Sequence, residues 1–173
     1  MPHIAEILLA PGASGGVERL GPIIAALERH GVSARAVALP RGSAERALPA
    51  YRAALDAARD AVIGGHSFGG RVASLLAAEA APRGLVLLSY PLHLPGRPAT
   101  WEERVTHWPR IACPVLLLSG ERDPRAEIGL LRRAVRRLPR GELVSYPGVG
   151  HGIGPVLEDA VVRIAQFVQA LSL

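Results

Sequence analysis

The strongest constraint on the fold is the texture of the short apolar runs. "LVLLS" (85–89) and "VLLLS" (115–119) are apolar on consecutive residues instead of alternate ones. A strand with one wet face alternates; a strand buried on both faces need not. Longer segments, apolar at every third or fourth position, separate these runs, and that spacing gathers the apolar side chains on one side of a helix. The chain therefore reads as strand and helix in turn, the pattern of a parallel sheet covered by helices on both faces.

In chain order the expected strands are 5–11, 33–40, 60–67, 84–91, 113–123 and 141–148. The expected helices are 17–31, 43–58, 68–80, 124–139 and 155–173. Pro22 should disturb the first turns of the first helix, Pro49 is a candidate break in the second, and Pro124 stands near the start of the fourth. Residues 92–112 contain Pro95, Pro98 and Pro109 and read as irregular, with one short helical turn near Trp101. The expectation is an α/β protein: a three-layer α/β/α sandwich on a mainly parallel sheet of about six strands. A chain of 173 residues suits one domain, 1–173, and can bury a core without disulfides.

Composition excludes several functions. Cys113, the one cysteine, lies in "IACPVLLL" and reads as a core residue, so cysteine-built metal sites are excluded. The six histidines, at 3, 30, 66, 93, 107 and 151, show no metal-pair spacing, and neither metal nor cofactor is expected. "MPHIAEILLAPG" has Glu6 inside its apolar run and no basic start, unlike a signal peptide. No apolar run approaches the roughly 18–20 residues of a membrane span. A soluble, cytoplasmic protein with no membrane partner is expected; the sequence leaves its oligomeric state open.

All 20 basic residues are arginine, and the net charge is +5. The densest run, "LLRRAVRRLPR" (130–140), places Arg132, Arg133, Arg136 and Arg137 on one helix face. Leu130, Leu131, Ala134, Val135 and Leu138 take the other. That is a solvated face; with few aromatics interleaved to stack on bases, no nucleic-acid partner is expected.

In an open parallel sheet, function gathers beyond the carboxyl ends of the strands. "PGASGG" (11–16) follows the first strand, Ser67 ends the third, "YPLHLPG" (90–96) follows the fourth, "GERD" brings Asp123 to the end of the fifth, and "GVGHG" brings His151 after the sixth. Ser, Asp and His thus leave the same edge. The segment Gly65-His66-Ser67-Phe68-Gly69 fits G-x-S-x-G at a strand-to-helix turn. Glycines two before and two after the serine let strand and helix approach without Cβ clashes. Phe68 N–H opens the helix and points into the same space as the serine hydroxyl. Asp123 also suits a helix N-cap ahead of Pro124, and Glu121 is an alternative acid. His66 should point away from the hydroxyl, toward packing or a pocket wall. Arg71 reads as structural. His93, after a strand end, is a candidate pocket residue; Tyr90, also a candidate pocket residue, and Trp101 would wall the pocket or join the core.

With "GGHSFGGR", "LSYPLHLPGRP" and "SGERD" in place, the sequence resembles the α/β-hydrolase superfamily over nearly its whole length. It is most similar to the small, lidless dienelactone-hydrolase-like branch, which includes testis-expressed and nonspecific-lethal-complex hydrolase-like proteins. The resemblance implies a reduced fold that starts at the superfamily's third strand and has no cap domain. It implies Ser67 as nucleophile, His151 as general base and then acid, and Asp123 as the residue that orients the imidazole. The oxyanion hole would take Phe68 N–H and one N–H of the first loop, from Ala13 or otherwise from Ser14, which also lines the pocket. Where relatives carry a His before the Gly of that loop, this chain has Pro11.

Residues 92–112 stand where related enzymes insert lids and are too short for a cap, so an open, shallow site for small esters is expected. The function these residues point to is a serine hydrolase of a small-molecule carboxylic ester or thioester, working through an acyl-enzyme. The alternative is a weak or inactive hydrolase fold that serves as an interaction module.

Overall fold

The structure, a computed structural model, describes residues 6–173. The signal-peptide reading, His3 and the expected strand start at Ala5 rest on residues outside that range. The strands are β1 Glu6–Ala10, β2 Ser33–Ala36, β3 Val62–His66, β4 Leu85–Leu88, β5 Val115–Gly120 and β6 Gly141–Tyr146. The helices are α1 Gly21–Arg29, α2 Ala44–Ala57, α3 Phe68–Glu79, α4 Ile128–Val135 and α5 Leu157–Ala170. All six strands are parallel, in the order β2-β1-β3-β4-β5-β6.

The consecutive apolar residues divide between two cores. Leu8, Ile63, Leu85, Leu87, Val115 and Leu117 face α2, α3 and α4, while Ile7, Leu9, Val86, Leu88, Leu116 and Leu118 face α1 and α5. Each such side chain, fully buried, is worth about 1.5–3 kcal/mol of transfer free energy. From β1 the chain steps outward to β2. It then returns across β1 to β3 and proceeds the other way. The reversal between β1 and β3 opens a crevice at their carboxyl ends, where sheets of this kind bind ligands.

Several local expectations change. Pro49 does not break α2; it sits inside the helix on its exposed side, where the carbonyl it leaves without a partner can meet water. Pro22 lies in the first turn of α1, which starts at Gly21 after a 3-10 turn, Val17–Leu20. The fourth helix starts at Ile128, four residues beyond Pro124. The Glu127 carboxylate caps it, accepting from Gly129 and Leu130 N–H at 2.9 and 2.8 Å.

Residues 92–112 are more ordered than expected, with 3-10 helices Pro98–Val105 and Trp108–Arg110 that bury Trp101, Val105 and Trp108. The arginine face of α4 is not simply solvated. The guanidinium groups of Arg133 and Arg137 lie over the Trp101 ring, 5.4 and 4.6 Å from its centroid, and Arg137 pairs with Glu102 at 3.0 Å. Cys113 is buried, as expected, and burial pushes its thiol up to about 11. No helix of the described residues is long and apolar enough to cross a membrane.

Candidate active site

Ser67 stands between β3 and α3 with φ 50° and ψ −116°, a left-handed backbone that is costly for a residue with a Cβ. Two backbone bonds hold it there. Its N–H donates to the Leu88 carbonyl at 2.8 Å, and its carbonyl accepts from Arg71 N–H at 3.0 Å. The flanking glycines are sterically required. A Cβ on Gly69 would lie 2.3 Å from the Ala10 carbonyl oxygen, and one on Gly65 2.5 Å from the Gly69 carbonyl carbon. Gly64 is equally confined, 2.3 Å from the Val86 carbonyl oxygen, beside the buried Tyr51 hydroxyl that accepts from Gly64 N–H at 3.0 Å.

His151 arrives on the loop after β6, which packs against Gly120 at the end of β5; a Cβ there would meet the Val149 carbonyl at 2.2 Å. His151 Nε2 lies 2.9 Å from Ser67 Oγ, and His151 Nδ1 lies 2.8 Å from Asp123 Oδ2. The Asp123 side chain is fully buried and that of His151 is 27% exposed. Asp123 Oδ1 accepts from Arg125 N–H at 2.8 Å, so the turn before α4 orients one oxygen and the imidazole takes the other. A carboxylate only accepts; it therefore places the imidazole proton on Nδ1 and leaves Nε2 free to accept from the serine hydroxyl. Glu121, the alternative acid, points elsewhere, to Ser145 Oγ at 2.7 Å and Arg132 at 3.3 Å.

Ser67, His151, Phe68, Ala13 and Ser14 line one cavity of about 610 Å³. That volume falls in the range of small-molecule sites. Phe68 N–H is the first of α3, where no intrahelical carbonyl is available to it. In the first loop, Gly15 N–H donates to the Gly12 carbonyl at 3.3 Å, a turn with Ala13 and Ser14 at its corners.

Two candidate pocket residues lie elsewhere. Tyr90 is buried, its hydroxyl donating to the Arg104 carbonyl at 2.6 Å and its ring edge-on to Trp108, so it ties the 3-10 segment to β4. His93 Nδ1–H donates to the Leu94 carbonyl at 2.8 Å and Nε2 accepts from Glu127 N–H at 2.9 Å. It pins the turn that carries Asp123 and lines a separate, smaller depression. Both side chains spend their polar atoms on backbone, which turns them away from the cavity. His66 does line it, and its Nε2–H donates to the His151 carbonyl at 3.0 Å. Burial pushes the His66 imidazole below the ordinary histidine value, outweighing that hydrogen bond.

Sequence reasoning missed the arginines on the cavity wall: Arg19, Arg71, Arg104 and Arg125. The spacing of Arg71, four residues after Ser67 on a helix, was the one available signal. Arg104 and Arg125 come from separate segments and had none.

Comparison with known proteins agrees with this architecture. Residues 40–145, more than half of the chain, match the α/β-hydrolase domain family. No curated protein matches the sequence. Among solved structures, a monoacylglycerol lipase of Paleococcus ferrophilus superposes with a TM-score of 0.82 at 18% identity, over 96% of this chain and 94% of that one. Est1E of Butyrivibrio proteoclasticus gives 0.82 at 16% identity, over 99% and 89%. At such identities the likeness is one of fold.

Proposed function

The chain belongs to the α/β-hydrolase domain family, and from that premise we propose that it is a serine hydrolase of a small carboxylic ester or thioester, carried on a single domain. The observation that carries this reading is the unbroken run from Asp123 Oδ2 through the His151 ring to the Oγ of a strained Ser67, at 2.8 and 2.9 Å. Within the family we assign it to the small dienelactone-hydrolase-like branch, on "GGHSFGGR" and "LSYPLHLPGRP". A lipase among the fold relatives is consistent with ester chemistry.

Ser67 Oγ attacks the carbonyl carbon as His151 Nε2 takes its proton. The oxyanion accepts from Phe68 N–H and Ala13 N–H. Asp123 stabilises the imidazolium. The carbonyl then re-forms, the bond to the alcohol or thiol breaks, and His151 returns the proton to that leaving group. Water, deprotonated by His151, cleaves the acyl-enzyme and regenerates Ser67.

Turnover of 4-nitrophenyl acetate and butyrate tests this. Ser67→Ala and His151→Ala should each lower kcat/KM by about 10³-fold or more, and Asp123→Asn by about 10²–10⁴-fold. Equal turnover by wild type and Ser67→Ala would sink the reading and favour an interaction module.

A further inference from the structure

The cavity beside Ser67 carries positive charge that its own walls leave unanswered. Four arginines line it; Arg19 is exposed, and the other three come from separate elements: Arg71 on the first turn of α3, Arg104 from the 3-10 helix Pro98–Val105, and Arg125 in the turn after Asp123. The backbone of each is tied to the site or its supports. Arg71 N–H donates to the Ser67 carbonyl at 3.0 Å and Arg125 N–H to Asp123 Oδ1 at 2.8 Å. The Arg104 carbonyl accepts from Tyr90, and Arg104 Nη1 donates to the Pro91 carbonyl at 3.2 Å. All three side chains belong to half-buried residues. Burial, and then the neighbouring charges of Arg71 and Arg125, push the Arg104 guanidinium below its usual value, so the three lie close enough to repel.

Elsewhere several of the chain's arginines are paired. Arg35 meets Glu6 at 2.7 Å, Arg132 meets Glu121 at 3.3 Å, Arg137 meets Glu102 at 3.0 Å and Arg163 meets Asp159 at 2.6 Å. Among the described residues the cavity lining contains no Asp or Glu. Among the described residues Arg104 and Arg125 form no ion pair, and Arg71 reaches only Glu45, at 3.6 Å, whose side chain is 66% exposed. Arg71 Nη1 is buried with no hydrogen-bond partner among the described residues. Drawing like charges together out of water costs free energy that a surplus of arginine in the composition does not explain. An anionic ligand offsets it, and guanidinium groups suit the paired oxygens of a carboxylate or phosphate.

We propose that the substrate carries an anionic oxygen group, a carboxylate or a phosphate, that docks on Arg71, Arg104 and Arg125 while its ester or thioester carbonyl lies at Ser67. This rests on the hydrolase reading above for the carbonyl and on the arginines alone for the anion, and the two are tested separately.

Mono-4-nitrophenyl adipate and 4-nitrophenyl hexanoate share an acyl length and differ by a terminal carboxylate. Their kcat/KM ratio should favour the adipate by about tenfold or more at low ionic strength, the scale of one charge-assisted hydrogen bond. The ratio should shrink as salt is added and fall severalfold in Arg104→Gln and in Arg125→Gln. Calorimetric titration of Ser67→Ala with glutarate and, separately, with inorganic phosphate reads the anion site without turnover. Binding of either that weakens in the Ser67→Ala/Arg125→Gln double variant supports the proposal and tells carboxylate from phosphate. A ratio near one together with no binding of either anion overturns it. Anion binding with no turnover of either ester would leave the anion site standing and count against the hydrolase reading instead.

Discussion

His107 is a histidine whose proton is strongly displaced by its surroundings. It is buried beneath α3, and burial, with Arg71 and Arg110 adding to it, pushes its imidazole down from 6.5 to about 4. Ser74 spends its hydroxyl proton on the Arg71 carbonyl at 2.7 Å, so at 2.8 Å it accepts from His107 Nε2–H. The folded state thus holds His107 neutral where the unfolded chain would protonate it. Between pH 6.5 and about 4 the unfolded state binds more protons, so stability falls as the pH is lowered through that window and levels off below it. The loss is up to about 3 kcal/mol. Urea unfolding at a series of pH values should show this slope in wild type, and His107→Gln, which keeps an N–H donor for Ser74, should flatten it. An equal slope in both would remove His107 as the cause. At this scale Ser67, Asp123 and His151 were legible because each follows a strand and carries its chemistry in a short pattern. His93 was misread, and Tyr90 was left between pocket wall and core, because sequence does not show which way a residue at a strand end turns.

At the scale of elements, the turn around Ser67 works because β1, β3 and α3 nearly touch. Gly69→Ala forces a Cβ to within 2.3 Å of the Ala10 carbonyl oxygen, and neither backbone is free to move away without displacing the first loop. Overpacking of this kind costs about 1–3 kcal/mol, which should lower Tm by several degrees. Gly21→Ala is the contrast. Gly21 opens α1 with φ −48°, and a Cβ there would find nothing within 4 Å, so alanine should be neutral or gain about 0.5–1 kcal/mol. Thermal unfolding of both variants checks this; a Gly69→Ala protein as stable as wild type would mean that β1 and α3 are not clamped. Strand and helix order was readable from apolar periodicity. The start of α4 was not, because Pro124 and the Glu127 cap both suit a helix N-terminus, and the turn that orients Asp123 settles which is used. Arg133 and Arg137 read as solvated because Trp101, the surface they cover, lies some thirty residues away in sequence.

For the whole molecule, the reversal of strand order between β1 and β3 gathers the first loop, Ser67 and the His151 loop at one edge of the sheet. The net charge of +5 is visible in the composition, but its concentration on the cavity wall is not, since three distant segments must fold before their arginines meet. On the hydrolase reading, this edge activates Ser67 as a nucleophile. A fluorophosphonate probe reports that directly, because it traps a hydroxyl only when a base and an oxyanion site assist its attack. Peptide mass spectrometry of the labelled protein should find one adduct, on Ser67, absent from Ser67→Ala and strongly reduced in His151→Ala. No adduct on wild type, or labelling that persists in Ser67→Ala, would mean that Ser67 is not an activated nucleophile.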